Sequence, residues 1–284
     1  MMKIMPLEQL KYMKISEQEA LESIVSDHHT ELEEIIHHEY IFTSSGKEAI
    51  RLLLNQFAFT REDEIFITTS TDTSYVSTCV SATIFNFSKI SRVISDKTKM
   101  IYVIHNFAFP HPDLYKLREI ADKRNIILIE DCAFAFDSLM ADGTTLGSVG
   151  DYAIYSLPKI IPIEQGGILS FKEGKEMKQH SIDIDIKKSL QQWIPKLHEL
   201  KNRKQRNYKY LFENIKAKEI YGPLKNENPF MFGFSHQEYL QISSVLAQKI
   251  ELGRTHVSEE IHIPVNPFID IEDYHKIIKG ISSL

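Results

Sequence analysis

From residue 40 onward, short β-rich apolar runs alternate with stretches of helical period, and this alternation limits the fold more than any other feature. Ser45–Phe57 (SGKEAIRLLLNQF) places apolar residues at 49, 50, 53, 54 and 57, one face of a helix. Glu64–Thr69 (EIFITT), Lys99–His105 (KMIYVIH) and Asn125–Asp131 (NIILIED) read as strands, with helices expected over Tyr75–Phe85 and Leu114–Lys123. Tyr152–Ser156 and Gly167–Phe171 are further strands. Parallel strands need long crossovers, and helices in those crossovers cover the sheet. The pattern therefore predicts an α/β fold around a mostly parallel central sheet covered by helices. Beyond about residue 175 the pattern turns helical, and 261–281 reads as strand, Pro-bounded turn and helix. We expect a large domain over 1–175, which includes a helical N-terminal segment, and a small C-terminal α+β domain over 176–284.

The 284 residues are 43% hydrophobic and 25% charged, enough to bury a sizeable core. A formal net charge of −6, with no basic stripe, argues against a nucleic-acid partner. Lys196–Lys209 is rich in Lys and Arg, but its apolar residues fall at helical spacing, which predicts a solvated helix face. Cys79 and Cys132 are far apart and in no metal-like spacing, so neither a disulfide nor a zinc site is expected, and the cytoplasm is the natural compartment. No uncharged apolar run approaches the ~20 residues of a membrane span, and Met1–Lys14 has no apolar core of signal-peptide length. The first 40 residues read as helical and charged, ending in Glu31–Glu39, with His28-His29 and His37-His38 as pairs. Neighbours on a helix do not share a face and no nearby carboxylate completes a ligand set, so solvated helix is expected there rather than a metal.

Three features carry chemistry. Thr43-Ser44-Ser45-Gly46 leads directly into the first helix of the alternation, where free backbone N–H groups and the dipole end favour an anion. The same residues serve equally as a capping box, Ser45 as N-cap and Glu48 three residues on, and Glu48 would repel a phosphate unless Lys47 offsets it. Asp131 ends a buried strand, the place where ligands bind in open α/β sheets, and suits a metal, a ribose or a protonated pyridine nitrogen. Lys159 follows the strand ending at Ser156, in an apolar stretch whose desolvation favours the neutral amine that a Schiff base requires. Gly166-Gly167 permits a sharp turn before the next strand.

In this order the segments SSGKEAI (44–50), EDCAFA (130–135), GDYAIYSLPK (150–159) and EQGG (164–167) resemble the DegT/StrS-type sugar aminotransferases. HNFAFPHPDLYKLREIADKRNI (105–126) is similar to that family's His-x-x-Gly-x-x-x-Asp stretch, and SEEIHIPVNPF (258–268) to its closing Leu-Pro-Leu-His-Pro. The resemblance implies the type I fold of pyridoxal-5′-phosphate (PLP) dependent transferases. It implies Lys159 as the residue that binds PLP covalently and later moves a proton between substrate carbon and cofactor. It implies Asp131 as partner of the pyridine nitrogen and Tyr75 as the aromatic stacked on the ring. Ser156, Gly46, Lys47 and Glu48 fall at phosphate-contacting positions, Lys47 and Glu48 through backbone N–H. His105 matches a family histidine, and the resemblance alone assigns it no role.

The implied reaction is transfer of an amino group, from glutamate, to a keto group of a nucleotide-linked deoxysugar, in a cytoplasmic homodimer with a role in polysaccharide biosynthesis. The retained Lys159 argues against the family's sugar dehydratases, which carry histidine there. Some positions depart from the pattern. Phe134 stands where a Gln or His contacts the cofactor, Lys47-Glu48 replaces Thr-Ala, and the segment between strand and lysine is two residues shorter. The C-terminal half is trimmed, and the family's Gly-Tyr-Asn stretch has no visible counterpart. Two other readings follow from these departures: a PLP enzyme acting on a non-sugar substrate, and a non-catalytic homologue with a binding or regulatory role. A plain dinucleotide binder is disfavoured because no Gly-x-Gly-x-x-Gly follows any strand.

Overall fold

The computed structural model of the chain describes residues 17–25, 31–71, 76–175, 177, 184–235 and 260–282. Its centre is a seven-stranded sheet in the order β1-β7-β6-β5-β4-β2-β3. The strands are β1 (Glu39–Thr43), β2 (Glu64–Thr69), β3 (Lys89–Ser91), β4 (Thr98–Ile104), β5 (Ile127–Asp131), β6 (Tyr152–Ser156) and β7 (Gly167–Phe171). Only β7 runs against its neighbours, pairing antiparallel with both β1 and β6. The remaining pairs are parallel, so the mostly parallel sheet expected from the alternation is present.

Side-chain alternation sorts the sheet into two cores. On β4, Met100, Tyr102 and Ile104 face the core under α3 (Gly46–Leu54) and α4 (Thr78–Phe85). Ile101 and Val103 face the opposite core, beneath α5 (Leu114–Arg124) and α6 (Ile184–Trp193). α3 commits Ala49, Ile50, Leu52, Leu53 and Leu54 to its side, as the helical spacing required. Asn125 closes α5 in the left-handed conformation, φ 53°, which Asn tolerates better than most residues.

The N-terminal region differs from the helical reading. Among the described residues before β1, helix is confined to α1 (Glu17–Glu22) and α2 (Leu32–Ile35), and Glu39–Thr43 is already a strand. EYIFT is β-branched and aromatic, and antiparallel pairing with β7 outweighs the charged context before it. His37 and His38 bind the 145–148 turn, at 2.9 Å to Thr145 Oγ1 and 3.1 Å to the Ser148 carbonyl, rather than lining a solvated helix. His28 and His29 lie outside the described residues.

After β7, α7 (Leu197–Asn214) leads to an antiparallel sheet of β8 (Lys218–Glu219), β9 (Met231–Ser235) and β10 (Glu260–Pro264), followed by α8 (Ile271–Ser282). Its core joins Tyr208, Phe232, Phe234, Ile263 and Tyr274 to Phe107 and Phe109, which come from the turn after β4. Among the described residues, no helix is long and apolar enough to cross a membrane.

Candidate active site

β5 ends in Glu130-Asp131, and strand geometry sends these two acids to opposite faces. Asp131 shares its face with Ile129 and Tyr102. The Tyr102 hydroxyl donates to Asp131 Oδ2 at 2.8 Å, and the Ala133 N–H donates to Oδ1 at 3.0 Å. A carboxylate oxygen can accept two hydrogen bonds, so each keeps a site for a ligand. Burial first, and the Asp131 charge second, push the Tyr102 phenol well above its usual range, so Tyr102 acts as a donor.

Glu130 points the other way and is saturated. It accepts from His105 Nε2 and Gly147 N–H on one oxygen, each at 2.9 Å, and from Val149 and Gly150 N–H on the other. Burial alone would raise this carboxyl, but His105 and the Gly150 and Gly147 amides hold it below the ordinary value. His105 Nδ1 accepts from the His111 N–H, so Nε2 carries the proton that Glu130 receives. Cys132 lies close enough to complete a three-residue group with His105 and Glu130. With the Glu130 lone pairs and His105 Nδ1 already occupied, that group has little left to bind a metal. The role of His105 is therefore to anchor the turn beneath the edge.

Ser156 ends β6 on the same face as Ile154 and Tyr152, towards α3. A Cβ added at Gly46 would come within 3.1 Å of Ser156 Cβ, so the start of α3 abuts the strand end more closely than most side chains would allow. Gly167 is more constrained still, since a Cβ there would lie 2.5 Å from the Ser45 carbonyl carbon and 2.7 Å from Gly46 N. The two glycines thereby form a cradle between the first turn of α3 and the β6–β7 connection. Ser45 Oγ accepts from Glu48 N–H at 3.1 Å, the capping interaction, which leaves the Gly46 and Lys47 amides as the turn's donors without an intrahelical acceptor. Repulsion from Glu48 is offset by Arg51, whose Nε and Nη2 reach its carboxylate at 2.7 and 2.5 Å and hold it below the usual range. Lys47, Glu48 and Arg51 also line a polar cleft of about 560 Å³ with Asn55 and Asn86.

Lys159 closes a 3-10 turn, Leu157–Lys159, directly after Ser156. Its Nζ sits 3.8 Å from the centroid of Phe134, three residues past Asp131, so the lysine comes to the loop that leaves β5. Such cation–π contacts contribute about 0.5–2 kcal/mol. Phe134 is backed by Phe230 at 4.6 Å and by Phe107 at 5.3 Å, an aromatic wall shared with the second sheet. Phe107 and Ala108 have φ of 52° and 82°, and Asp137 beyond Phe134 has 58°, so strained non-glycine backbone borders this edge.

Asp131, Ser156 and Gly46 thus share one face at one end of the sheet, and Lys159 follows Ser156. Tyr75 lies outside the described residues. Sequence reasoning missed Tyr102, whose partner is on the next strand, and Arg51, whose i,i+3 spacing from Glu48 was readable. The set fits PLP by its donor chemistry: an amine, a buried carboxylate with open lone pairs, and amides and a hydroxyl around a cradle that a Cβ would fill.

The profile of the DegT/DnrJ/EryC1/StrS aminotransferase family matches residues 16–182. GDP-perosamine synthase of Escherichia coli O157:H7 is 32% identical over 149 residues, 47% of this chain and 40% of that protein. GDP-perosamine synthase of Vibrio cholerae is 28% identical over 141 residues, 44% of this chain and 38% of the other. The chain thus spans about two fifths of the length of these curated relatives. The crystal structure of the aminotransferase TlmJ from Streptoalloteichus hindustanus superposes with a TM-score of 0.74 at 13% identity, covering 95% of this chain and 96% of that one. The fold is accordingly that of the type I PLP-dependent transferases.

Proposed function

The chain belongs to the DegT/DnrJ/EryC1/StrS aminotransferase family, whose aminotransferases use PLP, and from this premise we propose that it is a PLP-dependent aminotransferase acting on a nucleotide-linked keto-deoxysugar with glutamate as donor. The observation that supports this reading most is the placing of Lys159 immediately beyond Ser156, against the loop that leaves Asp131. We assign cofactor holding to residues 1–175 and a smaller C-terminal domain to 176–284.

In this reading Ser156 and the Gly46 and Lys47 amides would hold the phosphate, and Asp131 would pair with the ring nitrogen. When bound, PLP supplies an aldehyde for an amine and a ring that withdraws electrons from the substrate carbon. The Lys159 amine would be the attachment point for that group and, when free, the base that would carry a proton at the reacting carbon. The apolar wall of Phe134, Phe107 and Phe230 excludes water on that side. A cytoplasmic homodimer is part of the same proposal, and a monomer in equilibrium sedimentation at micromolar concentration would contradict it.

The direct test is reduction of the PLP-treated protein with borohydride, followed by peptide mapping. A pyridoxyl group on the peptide containing Lys159 is expected, and its complete loss in Lys159→Ala with an unchanged circular-dichroism spectrum. Labelling elsewhere, or none, rejects the assignment.

The aromatic wall beside Lys159 favours a second reading, a non-sugar keto substrate with an apolar ring. Half-reactions of the aminated protein with keto-sugar nucleotides and with cyclic keto compounds distinguish the two by which acceptor restores the original absorbance.

A further inference from the structure

Tyr102 takes no part in holding the phosphate or the amine, yet it makes a buried side-chain contact to Asp131. β4 and β5 are parallel neighbours with Tyr102 opposite Ile129 and Ile104 opposite Asp131, so Tyr102 lies one pleat behind the acid on the same face. Its ring extends forward along that face and places the hydroxyl 2.8 Å from Oδ2, with Tyr102 fully buried and Asp131 only 3% exposed. The strand positions around it are Met100, Ile101, Val103 and Ile104, all buried and apolar. A phenylalanine would fill that volume without needing a polar partner, so packing does not account for the hydroxyl.

We propose that Tyr102 is a positioning residue that keeps the shared proton on the cofactor's ring nitrogen rather than on Asp131. The inference rests on the PLP reading of the site. A buried pair of pyridinium and carboxylate has a neutral alternative in which one proton moves from nitrogen to oxygen and no other bond changes. Burial favours the neutral form, because charge separation is costly in a low dielectric. A donor bonded to the carboxylate favours the charged form, because it stabilises the anion and not the acid. Asp131 has two such donors, and the Ala133 amide is only a backbone group that any residue there would offer. The Tyr102 hydroxyl is the one that a side-chain choice adds. His105 and Glu130 are bonded to each other on the opposite face and do not take this role.

The test uses the full chain loaded with PLP carrying nitrogen-15 in the ring, and reads the ring-nitrogen chemical shift in wild type and Tyr102→Phe. A signal in the protonated range is expected for wild type. In Tyr102→Phe it should move to higher frequency, towards the position of neutral pyridine, with the thermal midpoint recorded alongside. Asp131→Asn supplies the neutral-ring reference. A second protein with 3-fluorotyrosine at position 102, a stronger donor, should move the signal the opposite way, and it guards against misfolding of the first variant. Identical shifts in wild type and these variants, with Lys159 still labelled by borohydride, overturn the role of Tyr102 while leaving the cofactor reading intact. Failure of wild type to take up a pyridoxyl group at Lys159 removes the cofactor reading and the inference with it.

Discussion

Glu130 and Asp131 are consecutive residues, both buried, yet they sit in opposite kinds of surroundings. Around Glu130 the protein supplies four donors: an imidazole and three backbone amides from the 147–150 turn. Around Asp131 it supplies two, one to each oxygen. Hydrogen-bond saturation therefore separates a carboxylate with its lone pairs engaged from one with lone pairs open, and burial alone does not. The backbone agrees, since the left-handed residues Phe107, Ala108 and Asp137 border the Asp131 edge.

Replacing the saturated acid should have the largest effect on folding. Glu130→Ala leaves His105 and the 147–150 amides unpaired, and a loss of about 3–5 kcal/mol is expected in urea unfolding, from several buried donors left without an acceptor. If Asp131→Ala costs as much, the contrast between the two sites fails.

Acid titration reads the buried titratable groups without mutation. Burial, with His105 beside it, holds His111 at about 4, and burial alone holds His262 at about 4, against an ordinary 6.5. Their depressed values mean that the unfolded chain takes protons first, so stability is full above pH 6.5 and falls as pH drops towards 4. The upper bound is about 3 kcal/mol for each histidine. Glu130, also depressed, adds a further loss below its unfolded value near 4.5. Stability that stays flat between pH 6.5 and 4 in urea midpoints would count against these buried states.

At the open edge the effect should appear in binding rather than folding. Asp131→Asn is expected to weaken PLP retention by roughly 100-fold, on the order of 2–3 kcal/mol for a charged hydrogen bond, while changing the urea midpoint little. Dialysis followed by absorbance measures it. The smallest effect is at Ala108, where glycine would relieve roughly 1 kcal/mol or more of left-handed strain and forfeit about 0.8 kcal/mol of buried methyl. Ala108→Gly should thus stabilise by a few tenths of a kcal/mol, read in the same unfolding curves.

Much of this architecture was legible in the residues because it is local. The helix period of α3, the β-rich runs of β2, β4 and β5, and the order Gly46, Asp131, Lys159 need only a few neighbours to be read. What escaped is non-local or short. Three residues of β3 carry no usable period, and β1 is stabilised by a partner more than 120 residues away. In a strand, Tyr102 looks like one more buried aromatic until β5 is placed beside it. His105 stands out in the sequence, but its meaning lies in the Glu130 it reaches on the next strand. Phe134 departs from the family pattern, and only the structure shows the lysine resting on its face.

The antiparallel insertion of β7 between β1 and β6 bears on the order of assembly. Among the described residues β1 pairs only with β7, so this edge is completed when residues 167–171 are available. A nascent chain that stops short of them lacks the strand that β1 needs. Such long sequence separation slows folding, and it makes the close approach of Gly167 to the first turn of α3 a late event.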